Sequence, residues 1–215
     1  MQETNNKVLS IRLAADGFYF NDAFVACPPE RLAGMLKGQF ADAGYQRAYV
    51  EIDTLSTVAV PDSGFENALA EGYLSVNNLL PEGYVPVRTQ WNETVIVMSC
   101  REEIVAWLRE CYGTEVEFFS PLACVLDTDD KTETFNLCLT DTNVYIALWN
   151  KELKFAQVLP YSSPADLGYY ISTLAEEYGL NKEKVYLVGK HNKKLIRQLE
   201  RFFPRIFDAD NKRKT

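Results

Sequence analysis

The stretch FNLCLTDTNVYIALWNKELKFAQVLP, Phe135 to Pro160, constrains the fold of this chain more than any other. It reads as three short strands joined by two tight turns, the first of them at Thr140-Asp141-Thr142-Asn143. A helix follows in SPADLGYYISTLAEEYGL, with Ser162 or Ser163 as its N-cap before Pro164 and with Leu167, Tyr170, Ile171 and Leu174 as its apolar stripe. KVYLVG is then a buried strand, and HNKKLIRQLERFF a last helix with Leu195, Ile196, Leu199 and Phe203 turned inward. Parallel strands joined by helices need crossover connections, so the segment predicts an α/β sheet with helices on its faces.

The N-terminal half offers similar material. VLSIRLAADGFYFNDAFVACP alternates apolar and polar residues around Asp16-Gly17, a hairpin signal with Leu9, Ile11 and Leu13 on one face. Pro28-Pro29 opens a helix whose apolar positions are Leu32, Met35, Leu36 and Phe40, with Gly44 as its C-cap. RAYVEIDTLSTVAVP supplies strands broken near Asp53-Thr54, and a helix is expected from about Ser63 to Val76. NNLLPEGYVP, punctuated by Asn, Pro and Gly, reads as a loop. Beyond it, ETVIVMSC is a continuous apolar strand, REEIVAWLRECYG a helix ended by Gly113, and TEVEFFSPLACVLD a strand with a short helix or turn. TDDKTE is a polar break. Each half thus opens with a meander and continues with helices and strands, which predicts a first half over 1–90 and a second over 91–215. Strand, helix and strand over 93–126 are placed to complete the first sheet.

Composition excludes several functions. With 22 Lys and Arg against 30 Asp and Glu the formal charge is −8, which argues against nucleic acid as a main partner. The dense basic run Lys212-Arg213-Lys214 is a terminal tail. No apolar run reaches the ~20 residues that cross a bilayer, and residues 1–7 lack a secretory signal, so a cytoplasmic protein without membrane insertion is expected. The five cysteines form no CxxC pair and the one histidine, His191, has no Cys beside it, which excludes a zinc site of the usual spacing. Cys100, Cys124 and Cys138 sit in apolar, strand-like runs and read as small hydrophobes. There is no GxSxG, and His191 reads as a surface residue at a helix start.

The strand and helix order from Phe135 to Phe203 resembles a ribonuclease H-like domain, and a tandem of two such units resembles the actin-like ATPases. VIVMSCREEIVAWLRECYGTEVEFFSPLACVL followed by FNLCLTDTNVYIALWNKELKFAQVLP is similar to the corresponding passage of pilus-assembly and cell-division members of that superfamily. DTLSTVAVPDSGFENALAEGYLSVNNLLPEGY and the C-terminal VYLVGK and LIRQLERFF resemble, more narrowly, a bacterial domain-of-unknown-function family grouped with these ATPases. The resemblance covers nearly the whole chain. It implies two ribonuclease H-like subdomains in an actin-like arrangement, with mixed sheets and helices on their faces.

The resemblance also implies where nucleotide chemistry would sit. In the actin-like ATPases each phosphate loop sets an acidic residue beside Gly and Ser or Thr, so that backbone N–H groups approach the phosphates and the carboxylate positions magnesium. The corresponding positions here are Asp16-Gly17, Asp141-Thr142 and, for the adenosine pocket, Gly189. Each departs from the pattern. Phe18 and Tyr19 follow Gly17, the Thr140–Asn143 turn has no glycine, and Lys190 stands where a second glycine belongs, filling room that a base needs. Ordinary turn chemistry explains the residues that remain, Asn143 taking a left-handed conformation and Gly189 making a strand-to-helix turn. Two-metal nuclease chemistry needs converging carboxylates, and LSIRL and FNLCL carry none. The expectation is a non-catalytic, actin-like-fold protein that binds another protein. The alternative is a divergent ATPase or phosphotransferase, with ATP and magnesium in a cleft between the halves. The aromatic pairs Phe118-Phe119, Tyr169-Tyr170 and Phe202-Phe203, with Phe207, supply core and, where exposed, a contact surface.

Overall fold

A computed structural model describes residues 7–128, 130–180, 184–203 and 205–209. The basic tail at Lys212-Arg213-Lys214 and residues 1–6 lie outside the described residues. The chain divides into two compact units, Met1–Ser120 and Pro121–Thr215, so the division falls at 120/121 and not at the expected 90/91.

In the first unit β1 (Val8–Ala14), β2 (Gly17–Phe20) and β3 (Ala23–Ala26) form an antiparallel meander. Asn21 and Asp22, at φ +50 and +62, make the left-handed turn between β2 and β3. Helix α1 (Pro29–Phe40) leads into β4 (Arg47–Ile52), which lies parallel to β1. Leu32, Ala33, Leu36 and Phe40 are buried, and the Phe40 ring meets Phe18 edge-on at 6.0 Å. Met35, expected inside, is exposed, because Ala33 takes the inward position beside Leu32. Gly44, at φ +71, comes after α1 has ended rather than capping it.

An insertion follows. β5 (Thr57–Pro61), β6 (Tyr84–Trp91) and β7 (Thr94–Arg101) make a separate antiparallel sheet in the order β5-β7-β6. The expected Ser63–Val76 helix is instead two 3₁₀ turns, Asp62–Gly64 and Asn67–Leu69, and the short α2 (Ala70–Ser75). Gly64 and Gly72 lower the helix propensity of the segment, and only Ala70 and Leu74 of α2 are buried. The expected loop 77–86 stops at Gly83, and Tyr84 begins β6, a strand the sequence concealed because Pro86 interrupts it. β6 lies at the sheet edge, where proline is tolerated. Helix α3 (Glu102–Tyr112) buries Ile104, Val105, Trp107, Leu108 and Tyr112, and Gly113 ends it, as expected, at φ +58. β8 (Val116–Phe119) then joins the first sheet parallel to β4, giving the order β3-β2-β1-β4-β8. Of the 93–126 segment, β8 completes the first sheet and β7 does not.

The second unit repeats this order. After α4 (Leu122–Leu126) come β9 (Thr134–Leu139), β10 (Asn143–Asn150) and β11 (Glu152–Pro160), the expected meander. Helix α5 (Pro164–Glu177), β12 (Lys184–Gly189), α6 (Lys193–Leu199) and β13 (Ile206–Asp208) follow. The strand order is β11-β10-β9-β12-β13, with β12 parallel to both β9 and β13. Ser163 caps α5, and the Asp166 carboxylate accepts from its backbone N–H. Leu167 and Ile171 of α5 and Leu195 and Leu199 of α6 pack with Phe203 on Phe135, Leu137, Val185 and Leu187 of the sheet. The opposite face meets α4, whose Val125 carbonyl accepts from Asn136 Nδ2 at 3.2 Å and from Trp149 Nε1 at 3.4 Å. The last helix is shorter than expected: regular α structure ends at Leu199, and the chain turns to bury Phe203 and to form the short β13, which the sequence did not reveal.

Cys27, Cys100 and Cys138 are buried, and burial pushes the Cys100 thiol up to about 12. Cys124 lies on α4, not on a strand, and is half-buried; Cys111 is exposed on α3. Native protein treated with a chromogenic disulfide is therefore expected to release one fast equivalent from Cys111. The buried thiols should react only after unfolding. Fast loss of Cys100 in a thiol-mapping experiment would contradict the packing of β7.

Candidate functional site

Three of the five candidate residues come together at one end of the second sheet. Asp141 and Thr142 are the exposed link between β9 and β10, and Gly189 ends the neighbouring strand β12. Thr140 closes the link twice: its N–H donates to Asn143 O at 3.0 Å, and its Oγ1 accepts from Asn143 N at 3.1 Å. Asn143 is not among the described residues with positive φ, so it begins β10 as ordinary strand and the left-handed conformation expected for it is absent. The turn is held by the threonine hydroxyl instead. Tyr161 N–H donates to Thr142 O at 2.8 Å, and Lys190 N–H donates to Leu139 O at 2.7 Å.

Gly189 has the positive φ expected of it, +83. A Cβ there would strike the Leu139 carbonyl oxygen and lie 3.2 Å from Cys138 Sγ. Beyond it, the Lys190 ammonium is ion-paired with the Asp141 carboxylate. His191, expected at the surface, has a side chain only 5% exposed: Nδ1–H donates to Gly189 O at 2.9 Å, and Nε2 lies 3.3 Å from Asp208 Oδ1. β13, absent from the sequence-based expectation, supplies that carboxylate and accounts for the burial. Burial, and then the Asp141 and Asp166 carboxylates, push the Tyr161 hydroxyl upward. Tyr161, Lys190, His191, Asn192 and Gln198 line a shallow cavity of about 420 Å³ at this end.

Asp16 and Gly17 belong to the first unit. Ala15 and Asp16 link β1 to β2, the pairing running from Ala14 to Gly17, and Asp16 O accepts from Cys27 N at 2.9 Å. Gly17 is the first residue of β2 and not half of a left-handed Asp-Gly turn. A Cβ on it would strike the Val25 carbonyl oxygen and the Phe24 ring, so glycine is there because β3 approaches closely.

A polar cluster that the sequence did not single out lies in the second unit, in the TDDKTE break. The Asp130 carboxylate accepts from Thr132 N at 3.0 Å, Thr132 Oγ1 at 2.6 Å, Lys184 Nζ at 3.1 Å and Tyr186 OH at 3.1 Å. The Thr132 hydroxyl and the other donors hold its carboxyl well below the usual carboxylate range. Tyr186, stacked on Phe207 at 4.9 Å, is pushed upward by burial and by Asp130. Asp127, Thr128, Asp130, Asn136 and Tyr186 line a cavity of about 350 Å³. Only the acid-and-hydroxyl run Asp130-Lys131-Thr132 is a local signal; Lys184 and Tyr186 arrive from a distant strand. Among the described residues no group of three or more His, Cys, Asp or Glu is placed to hold a metal ion. No helix among them is long and apolar enough to cross a membrane.

Comparison with solved structures shows the fold. Over 96% of this chain and 94% of the other, the structure is similar to a Bacteroides thetaiotaomicron VPI-5482 protein with actin-like ATPase fold and unknown function, at 20% identity and a TM-score of 0.74. Weaker likenesses are to the cytoplasmic domain of EpsL, an inner membrane component of the type II secretion system of Vibrio cholerae, and to an AlfA filament bound to AMPPNP. The first has 11% identity, covers 86% of this chain and 83% of the other, and has a TM-score of 0.41. The second has 8% identity, covers 91% and 86%, and has a TM-score of 0.38. No curated protein matches the sequence. The sequence profile of a family described as protein of unknown function, DUF3822, matches residues 35–206. The chain has the actin-like ATPase fold and belongs to the DUF3822 family.

Proposed function

We propose that this chain is a non-catalytic protein of actin-like fold that works through contacts with another protein. The ion pair between Lys190 and Asp141 carries the reading. At the end of the sheet where the resemblance puts phosphate and adenosine, the one carboxylate of the turn is held by a lysine. The link between β9 and β10 has a side chain at every position, so backbone N–H groups are not bared to a triphosphate. Fold likeness by itself assigns no activity.

The contact surface is aromatic. Tyr169 is 67% and Phe202 49% exposed, and the Phe202 ring lies over Gly168, where a Cβ would sit 3.4 Å from it. Large exposed aromatic rings grouped on one surface are typical of protein interfaces.

Isothermal titration with ATP and magnesium tests the non-catalytic part, and no saturable heat is expected at micromolar concentrations. Magnesium-dependent micromolar binding overturns it in favour of the second reading, a divergent ATPase or phosphotransferase using Asp16 and Asp141.

A further inference from the structure

A cavity of about 700 Å³ in the first unit lies among β6, α2, the end of α3 and β8. Its floor is apolar: Val87 and Phe118 are buried, with Pro86, Ala70 and Val116 beside them. Arg88 from β6 and Arg109 from the last turn of α3 line it as well. No aspartate or glutamate is among its lining residues, in a chain where acids outnumber bases by 30 to 22. Among the described residues neither arginine makes an ion pair; Arg88 lies over the Phe65 ring, 5.4 Å from its centroid, a contact that steadies a guanidinium without neutralising it.

Local structure places both groups. Gly113, at φ +58, turns the chain at the end of α3, so that Thr114 and then β8 form the wall beside Arg109. β6 and β8, each the last strand of its sheet, lie near one another and both line the cavity. A volume of this size suits a small organic molecule. An apolar floor asks for a hydrocarbon body, and two guanidinium groups with no protein carboxylate ask for an oxyanion that accepts forked hydrogen bonds.

We propose that this cavity is a binding site for an amphipathic organic anion, with a carboxylate or phosphate head on Arg88 and Arg109 and an apolar body against the apolar part of the lining. None of the residues discussed for nucleotide lines this cavity, and the proposal is independent of the protein-contact reading.

Titration calorimetry of the full chain at low ionic strength tests it, with octanoate and octyl phosphate as probes and octanol, octylamine and acetate as controls. Saturable binding of one or both anions is expected, with the controls binding at least about tenfold more weakly. Which head binds better identifies the anion. Binding should weaken as salt is raised, and the R88Q/R109Q double variant should lose about tenfold or more of it. Both arginines are exposed, so the variant should keep the wild-type circular dichroism and melting temperature. Absence of saturable binding by either anion, octanol binding as well as octanoate, or unchanged anion binding in the folded double variant would each overturn the proposal.

Discussion

Replacing Gly189 with valine is expected to lower stability by about 3 kcal/mol or more, a loss carried by the second unit. Two costs add at this position. The backbone is at φ +83, a region that a β-branched residue adopts only under strain. A side chain there would also meet the Leu139 carbonyl oxygen, which accepts the Lys190 N–H at 2.7 Å, so β12 could yield only by loosening its pairing with β9. Asp141→Ala is the matched control. Its carboxylate sits in an exposed link and its ion pair with Lys190 is half in solvent, so removal should cost at most about 1 kcal/mol. Paired urea melts compare the two. Equal, small losses would mean that β12 does not end in this conformation beside β9.

Asp130→Ala is the other large effect, a loss of about 2–3 kcal/mol at neutral pH, since it leaves Lys184 and Tyr186 without the carboxylate that both donate to. The direction with pH is fixed by the depressed carboxyl. A carboxylate whose folded pKa lies below its unfolded value stabilises the fold fully above the unfolded value of ~3.9, and this contribution is lost as pH falls below it. Wild type and Asp130→Ala should therefore differ most near neutrality and converge in strong acid. Urea melts from neutral pH down to about pH 3 measure the gap. A gap that stayed constant over that range would mean that Asp130 contributes through packing and not through its charge.

Much of the fold was legible along the chain because its signals are local. The second meander, the capped helix from Pro164 and the strand KVYLVG each announce themselves through alternation, a serine before a proline, or a short apolar run. Gly189 was legible for the same reason, since a glycine between a strand and a helix signals a backbone need. The segment Ser63–Val76 misled because its apolar residues suit a helix while its two glycines do not, and in the fold it packs on the inserted sheet through Phe65 and through Leu74 of the short α2. β6 and β13 were hidden, the one by a proline and the other by its three-residue length.

The candidate site divides along the same line. Sequence alone determined which residues were missing: no glycine in the Thr140–Asn143 turn, and a lysine after Gly189. That Lys190 reaches Asp141, that His191 is buried against Asp208, and that Asp130 is held from β12 depend on strand neighbours far apart along the chain. So do the two arginines of the first unit, which share a cavity only because β6 and α3 border it together. Periodicity and turn chemistry report the conformation of a few consecutive residues. Partners of charged and polar side chains are chosen by sheet order and register, which the packing of the whole unit decides.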